Sequence, residues 1–266
     1  MNILCVTQGR TLGLFHDVAK HLQSAGTFET AGFYVTDSKF FDSYSQAHPE
    51  LLASGVAILK EWEILANASV EQTRPESIRD IEARLGDPTL WNAILADRRL
   101  FLGPRSMREQ NYPSRYSHDQ LLAIARRAAI EMESLFDRAK PSLVVGFICV
   151  TIGDYMAELV AKQRGIPFLN LRPTRIRNFF YGGESVHEPS ARLEETYQAF
   201  LASGLPEKSG RLAMNTIEET RSGHALYEGV IPLAAQVPDR NSGATTAATA
   251  PVSTVKTNRF KRICRD

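Results

Sequence analysis

Gly9-Arg10-Thr11-Leu12-Gly13 follows a short β-rich run, Asn2 to Thr7, and opens a stretch with helical spacing. Backbone amides at such a turn, with the positive end of the helix dipole behind them, suit an anion or a sugar hydroxyl. The glycines would equally serve a tight strand-to-helix turn with no ligand at all. Neither the GxGxxG dinucleotide spacing nor the GxxxxGK[ST] phosphate loop is present. His16 comes next, beside the apolar stripe Leu12, Phe15, Val18, Ala19 and Leu22. An imidazole with an ordinary pKa of about 6.5 can take a proton from a hydroxyl, so His16 is a candidate base as well as a candidate structural histidine.

A second set of candidates is cationic. Arg98, Arg99, Arg105, Arg108 and Arg115 surround a loop that also holds Tyr112 and Tyr116. Arg172, Thr174, Arg175 and Arg177 follow the apolar run 166–171, whose carboxyl end should lie on the rim of a binding crevice. Guanidinium forks match phosphate and carboxylate geometry, and tyrosine stacks on sugar rings or bonds their hydroxyls. Asp154 stands near the start of another helical stretch, either as a dipole-complementing residue or as an active-site carboxylate. Glu61 and Glu63 read as a solvated helix face. Cys5, Cys149 and Cys264 lie far apart with no Cys/His ligand spacing, so neither a metal site nor a disulfide framework is expected.

The elements that must carry these residues alternate. Strand 2–7, helix 11–24 closed by Gly26, and strand 28–36 form a βαβ opening. The middle, from about His48 to Arg138, reads as mostly helical: 50–65, 78–85, a helix begun by Asp87-Pro88, and a long helix 118–140 capped by Ser117. Leu143 to Val150 is an almost continuous apolar run, as a central strand covered on both faces requires. Helix 151–164, Gly165, strand 166–171 and helix 191–202 complete the pattern. The expected class is α/β: a Rossmann-like parallel sheet flanked by helices, with a helical insertion in the middle and a disordered C-terminal tail.

Composition sets further bounds. The chain has 266 residues, 43% hydrophobic and 23% charged, and a net charge of +1, which gives no global pull toward nucleic acid. No signal peptide is visible, and the longest apolar stretch is about half a membrane span. A cytoplasmic protein is expected, with an inner-membrane contact open through the basic residues between Lys256 and Arg265. The expected divisions are a Rossmann-like domain over 1–205, a weakly ordered extension over 206–237, and a low-complexity and basic tail over 238–266.

Together the opening strand with GRTLGLFHDVAKHL, then TDSKFFDSY, LWNAILADRRLFLG, YSHDQLLAIARRAAIEMESLFDRAKPSLVVGF and AKQRGIPFLNLRPTRIRNFF resemble the N-terminal domain of bacterial capsule and surface-polysaccharide biosynthesis proteins with a GT-B-like fold. The resemblance spans roughly Met1 to Ala202. It implies an acceptor-binding half of a glycosyltransferase, whose partner domain binds the sugar nucleotide. In that scheme a glycan or lipid-linked acceptor meets Gly9, Arg10, Thr11, Gly13, Tyr116, Arg172, Thr174 and Arg175. His16 or Asp154 would be the base, and no cofactor is needed. After about residue 205 the strand–helix alternation is too short for a donor domain, so the sugar nucleotide would enter only with a second domain or partner. Two other readings stay open: a non-catalytic glycan-binding or scaffold protein of the same pathway, and a sugar-nucleotide epimerase relative.

Overall fold

The computed structural model describes residues 1–53, 55–68, 77–101, 115–174, 176, 179–187 and 190–222. In chain order the elements are β1 (Asn2–Thr7), α1 (Thr11–Ser24), β2 (Thr30–Val35) and α2 (Ser38–Ala47). A 3-10 turn (Pro49–Leu52) leads to β3 (Ala57–Lys60), α3 (Glu61–Asn67), α4 (Ile78–Leu85), α5 (Trp91–Ala96) and α6 (Arg98–Phe101). Then come α7 (His118–Ala139), β4 (Leu143–Phe147), α8 (Ile152–Gln163), β5 (Phe168–Pro173), β6 (Phe180–Gly183), α9 (Ala191–Ser203) and α10 (Glu207–Arg221).

The six strands form one sheet in the order β3-β2-β1-β4-β5-β6. All neighbours are parallel except β5 and β6, which run antiparallel. This is the doubly wound order, with its direction reversing between β1 and β4. Period-2 side-chain alternation then sorts the core. Leu4 and Val6 face α7 and α8 in a cluster that also draws on α3, α4, α5 and α6, whereas Ile3 and Cys5 face Leu12, Phe15 and Phe41 from α1 and α2. Each large apolar side chain so buried contributes about 1.5–3 kcal/mol before entropy is counted. Cys5 and Cys149 are buried free thiols, and burial pushes the Cys5 thiol up to about 12.

Helix starts are fixed by side chains that satisfy the first amides. Ser117 with Gln120 and Thr151 with Asp154 each form a complete capping box, as does Ser77 with Asp80. The expected helix over 50–65 is corrected. Gly55 interrupts it, Ala57 and Leu59 turn inward as alternate residues, and their backbone pairs with β2 from Gly32 to Val35. Neither the antiparallel edge strand β6 nor α10 was expected. Neither α9 nor α10 buries a single residue. Among the described residues no helix is long and apolar enough to cross a membrane. Cys264, the residues between Pro238 and Arg265, and most of the loop from Gly103 lie outside the described residues.

Candidate functional site

Because β1, β4 and β5 are parallel, their carboxyl ends share one edge, with the β1 and β5 ends two strand spacings apart, roughly 10 Å. At this edge, where the strand order reverses, open α/β sheets leave a crevice. A cleft of about 450 Å³ lies there, lined by Gln8, Ala96, Asp97, Arg99, Val150 and Thr151.

The β1–α1 turn supplies one wall. Gly9 takes φ +51°, which a side chain would oppose. Thr11 closes the turn: its hydroxyl donates to the Gln8 carbonyl at 2.9 Å and accepts from the Gln8 amide at 2.8 Å. Arg10 is exposed. Gly13 faces a neighbour instead of the cleft, because a Cβ there would stand 3.2 Å from Tyr44 Cε2.

Asp154 lies one layer beneath the cleft wall. Its Oδ2 accepts from the Val150 and Thr151 amides, each at 2.8 Å, and from Gln8 Nε2. Its Oδ1 is buried and has no hydrogen-bond partner among the described residues. Burial raises its pKa, partly offset by the bonds from the Thr151 and Val150 amides. Thus one oxygen is held by three donors while the other stays bare, and the carboxyl takes a proton more readily than an ordinary aspartate.

A second network flanks the cleft. Arg99 reaches Glu61 through two bonds of 2.7 Å and Asp97 through bonds of 3.2 and 3.0 Å. Tyr34 Oη donates to Glu61 Oε1 at 2.8 Å, and Asp97 Oδ2 accepts from the Ile152 amide at 3.1 Å. Burial works against the Arg99 charge, but the Asp97 bonds and the two carboxylates outweigh it, so the guanidinium holds its proton more firmly than usual. Glu61 was expected on a solvated face; it is buried, because α3 follows β3 directly and its first residue turns under the sheet edge toward Tyr34. Glu63 is exposed. Gly153 makes the network's floor: a Cβ there would coincide with the Tyr34 hydroxyl.

His16 lies apart from these groups, on the α1–α2 face. It is buried, its Nδ1 is 3.0 Å from Tyr44 Oη, and its ring meets Phe33, Tyr44 and His48 edge-on. Burial, then the Lys20 charge, holds it below the ordinary histidine value. Arg172 is half-buried at the end of β5 and donates to the Val186 carbonyl. The Thr174 hydroxyl donates to the Phe179 carbonyl at 3.0 Å. Tyr116 is half-buried beside the start of α7, under the Arg115 guanidinium at 5.1 Å. Arg175 is outside the described residues. The structure therefore joins the Gly9 turn to Asp154 through Gln8, while His16 bonds Tyr44 and Arg172 bonds the Val186 carbonyl.

No family model matches the chain, and no curated protein matches it. Among solved structures, the glycosyltransferase SsfS6 of Streptomyces sp. SF2575 aligns at 15% sequence identity and a TM-score of 0.28. The alignment covers 65% of this chain and 39% of that one, so the chain spans well under half of its neighbour. A likeness of that size carries no argument about chemistry.

Proposed function

We propose that this chain is the acceptor-binding half of a glycosyltransferase-like protein of capsule or surface-polysaccharide assembly. It would work at the cytoplasmic side, with the sugar nucleotide delivered by a second domain or partner. The observation that carries the reading is Asp154: a buried carboxyl with one bare oxygen, set behind a cleft whose lining residues Gln8, Val150 and Thr151 all donate to its other oxygen. An acceptor hydroxyl that displaces the Gln8 amide meets a base of raised pKa. Its oxygen then attacks the anomeric carbon, the bond to the nucleoside phosphate breaks, and the proton passes to Asp154. His16, the other base candidate of the sequence, lies on the α1–α2 face and takes no part in this scheme. Gly9, Arg10, Thr11, Tyr116, Arg172, Thr174 and Arg175 would hold the glycan or lipid-linked acceptor, and Gly13, packed on Tyr44, would not.

A non-catalytic glycan-binding role is the second reading, favoured by the three donors that already occupy Asp154 Oδ2. Saturation-transfer NMR on the full chain tests both, using neutral and uronic-acid oligosaccharides and UDP-glucose. Oligosaccharide signals are expected, and Gln8→Trp, which fills the cleft, should abolish them while circular dichroism still shows a folded chain. Absence of oligosaccharide binding would sink both readings. Turnover of UDP-glucose by the chain alone would favour an epimerase relative.

A further inference from the structure

The face opposite α7 holds a group of side chains that the cleft chemistry does not use. His16 projects from the second turn of α1, His48 terminates α2, and Glu50 lies in the 3-10 turn that follows. Each offers one ligand atom, and these atoms all lie within 4.8 Å of one another. We propose that His16, His48 and Glu50 bind a single divalent transition-metal ion, zinc by the chemistry of the donors, and so clasp α1 to the end of α2. The inference is independent of the function proposed above.

Two imidazole nitrogens and one carboxylate oxygen are a zinc donor set, and three protein ligands leave a fourth position for water. Tetrahedral zinc bonds of about 2.0–2.2 Å place neighbouring ligand atoms roughly 3.3–3.5 Å apart. His48 Nδ1 and Glu50 Oε1 already stand 3.5 Å apart, so only the more widely spaced donors must draw in, by at most about 1.4 Å. His48 and Glu50 have that freedom, with side chains 38% and 44% exposed, while His16 is fixed. Its fixing is itself of the kind a metal ligand needs. Tyr44 Oη engages Nδ1 at 3.0 Å, which leaves Nε2 for a metal and sets the ring plane. Tyr44 in turn is wedged against α1 where Gly13 has no Cβ, and it stacks on His48 at 4.2 Å. One tyrosine thus orients both imidazoles.

Lys20 is the competitor. Its Nζ lies 3.0 Å from Glu50 Oε1. The ammonium is half-exposed and can swing into water, so it weakens a metal site without blocking it. This yields a test with opposed directions. Untagged full-length chain is titrated with zinc chloride by calorimetry, and with cobalt(II) by visible absorption. One equivalent should bind per chain, with the intense d–d bands of tetrahedral cobalt.

His48→Ala and Glu50→Gln should each weaken zinc at least tenfold, and Lys20→Met should strengthen it severalfold. His21→Ala, on the same helix, should change nothing. All four positions carry partly or fully exposed side chains, and circular dichroism verifies each fold. Three results would overturn the proposal: no saturable binding at millimolar zinc, stoichiometric binding that survives both His48→Ala and Glu50→Gln, or weaker binding in Lys20→Met.

Discussion

Replacing Arg99 with methionine keeps much of its aliphatic volume and removes the guanidinium that faces two carboxylates. Four hydrogen bonds of 2.7–3.2 Å go with it. The Glu61 and Asp97 side chains are only 8% and 2% exposed, so their charges stay where water reaches poorly. Removing one member of a buried ion pair costs about 3–5 kcal/mol. Arg99 itself is 43% exposed, which lets water into the vacated space, so the lower end applies, about 3 kcal/mol. For a chain of this size each kcal/mol moves the midpoint by about 2–4 °C, giving a fall of roughly 6–12 °C. Urea unfolding at pH 7, followed by circular dichroism, reads the free energy directly. Adding Glu61→Gln to Arg99→Met should recover more than about 1 kcal/mol, since one stranded charge disappears while the amide oxygen still accepts from Tyr34. Were Arg99→Met to unfold within about 0.5 kcal/mol of the parent, or the double variant no later than the single, the network would not be holding this edge together.

Gly153→Ala should cost about 3 kcal/mol by the same urea assay, because the added carbon meets the Tyr34 ring, with Cε1 at 2.8 Å, and Tyr34 is fully buried; an unchanged midpoint would mean Tyr34 can move aside. Asp154 gives a pH signature. Its folded pKa is raised, so the folded chain binds its proton more tightly, and this stability is complete below the ordinary carboxylate range and lost as pH rises through the folded value. Asp154→Asn should therefore flatten the decline in stability on going upward from about pH 4, and a slope identical to the parent's would refute the assignment. Ending the chain at Ser203 removes α10, which buries nothing, so the unfolding midpoint should stay within about 2 °C; aggregation of the shortened chain would show that the removed part is structural.

The sheet was legible because its signals are local. The apolar run Leu143 to Val150 reads as a strand covered on both faces, and its first five residues form β4; Ser117 and Gly165 mark helix ends by chemistry that needs no partner elsewhere in the chain. β3 was hidden because Leu51, Ile58, Trp62 and Leu65 also satisfy a helical period, and only its pairing with β2 decides between them. The candidate site was less legible. Asp154 and the Gly9 turn stand out in sequence, but Gln8, which joins them, has no motif of its own. Glu61 resembled a surface residue because its partners, Tyr34 and Arg99, are 27 and 38 positions away. The same distance hides the His16, His48 and Glu50 grouping, which no ligand spacing reveals.

The sheet order also bears on how the chain is made. Ile3 pairs with Leu143, so the first strand emerges from the ribosome long before its central neighbour exists. At about 5–20 residues per second the gap is on the order of ten seconds. Throughout it, β1 has an open flank of amides and carbonyls beside an apolar surface, which other nascent chains can pair with or chaperones can shield. Completion of the fold therefore waits on synthesis of β4. Yield in expression should follow the time spent translating residues 8–142 more closely than the stability of the finished protein.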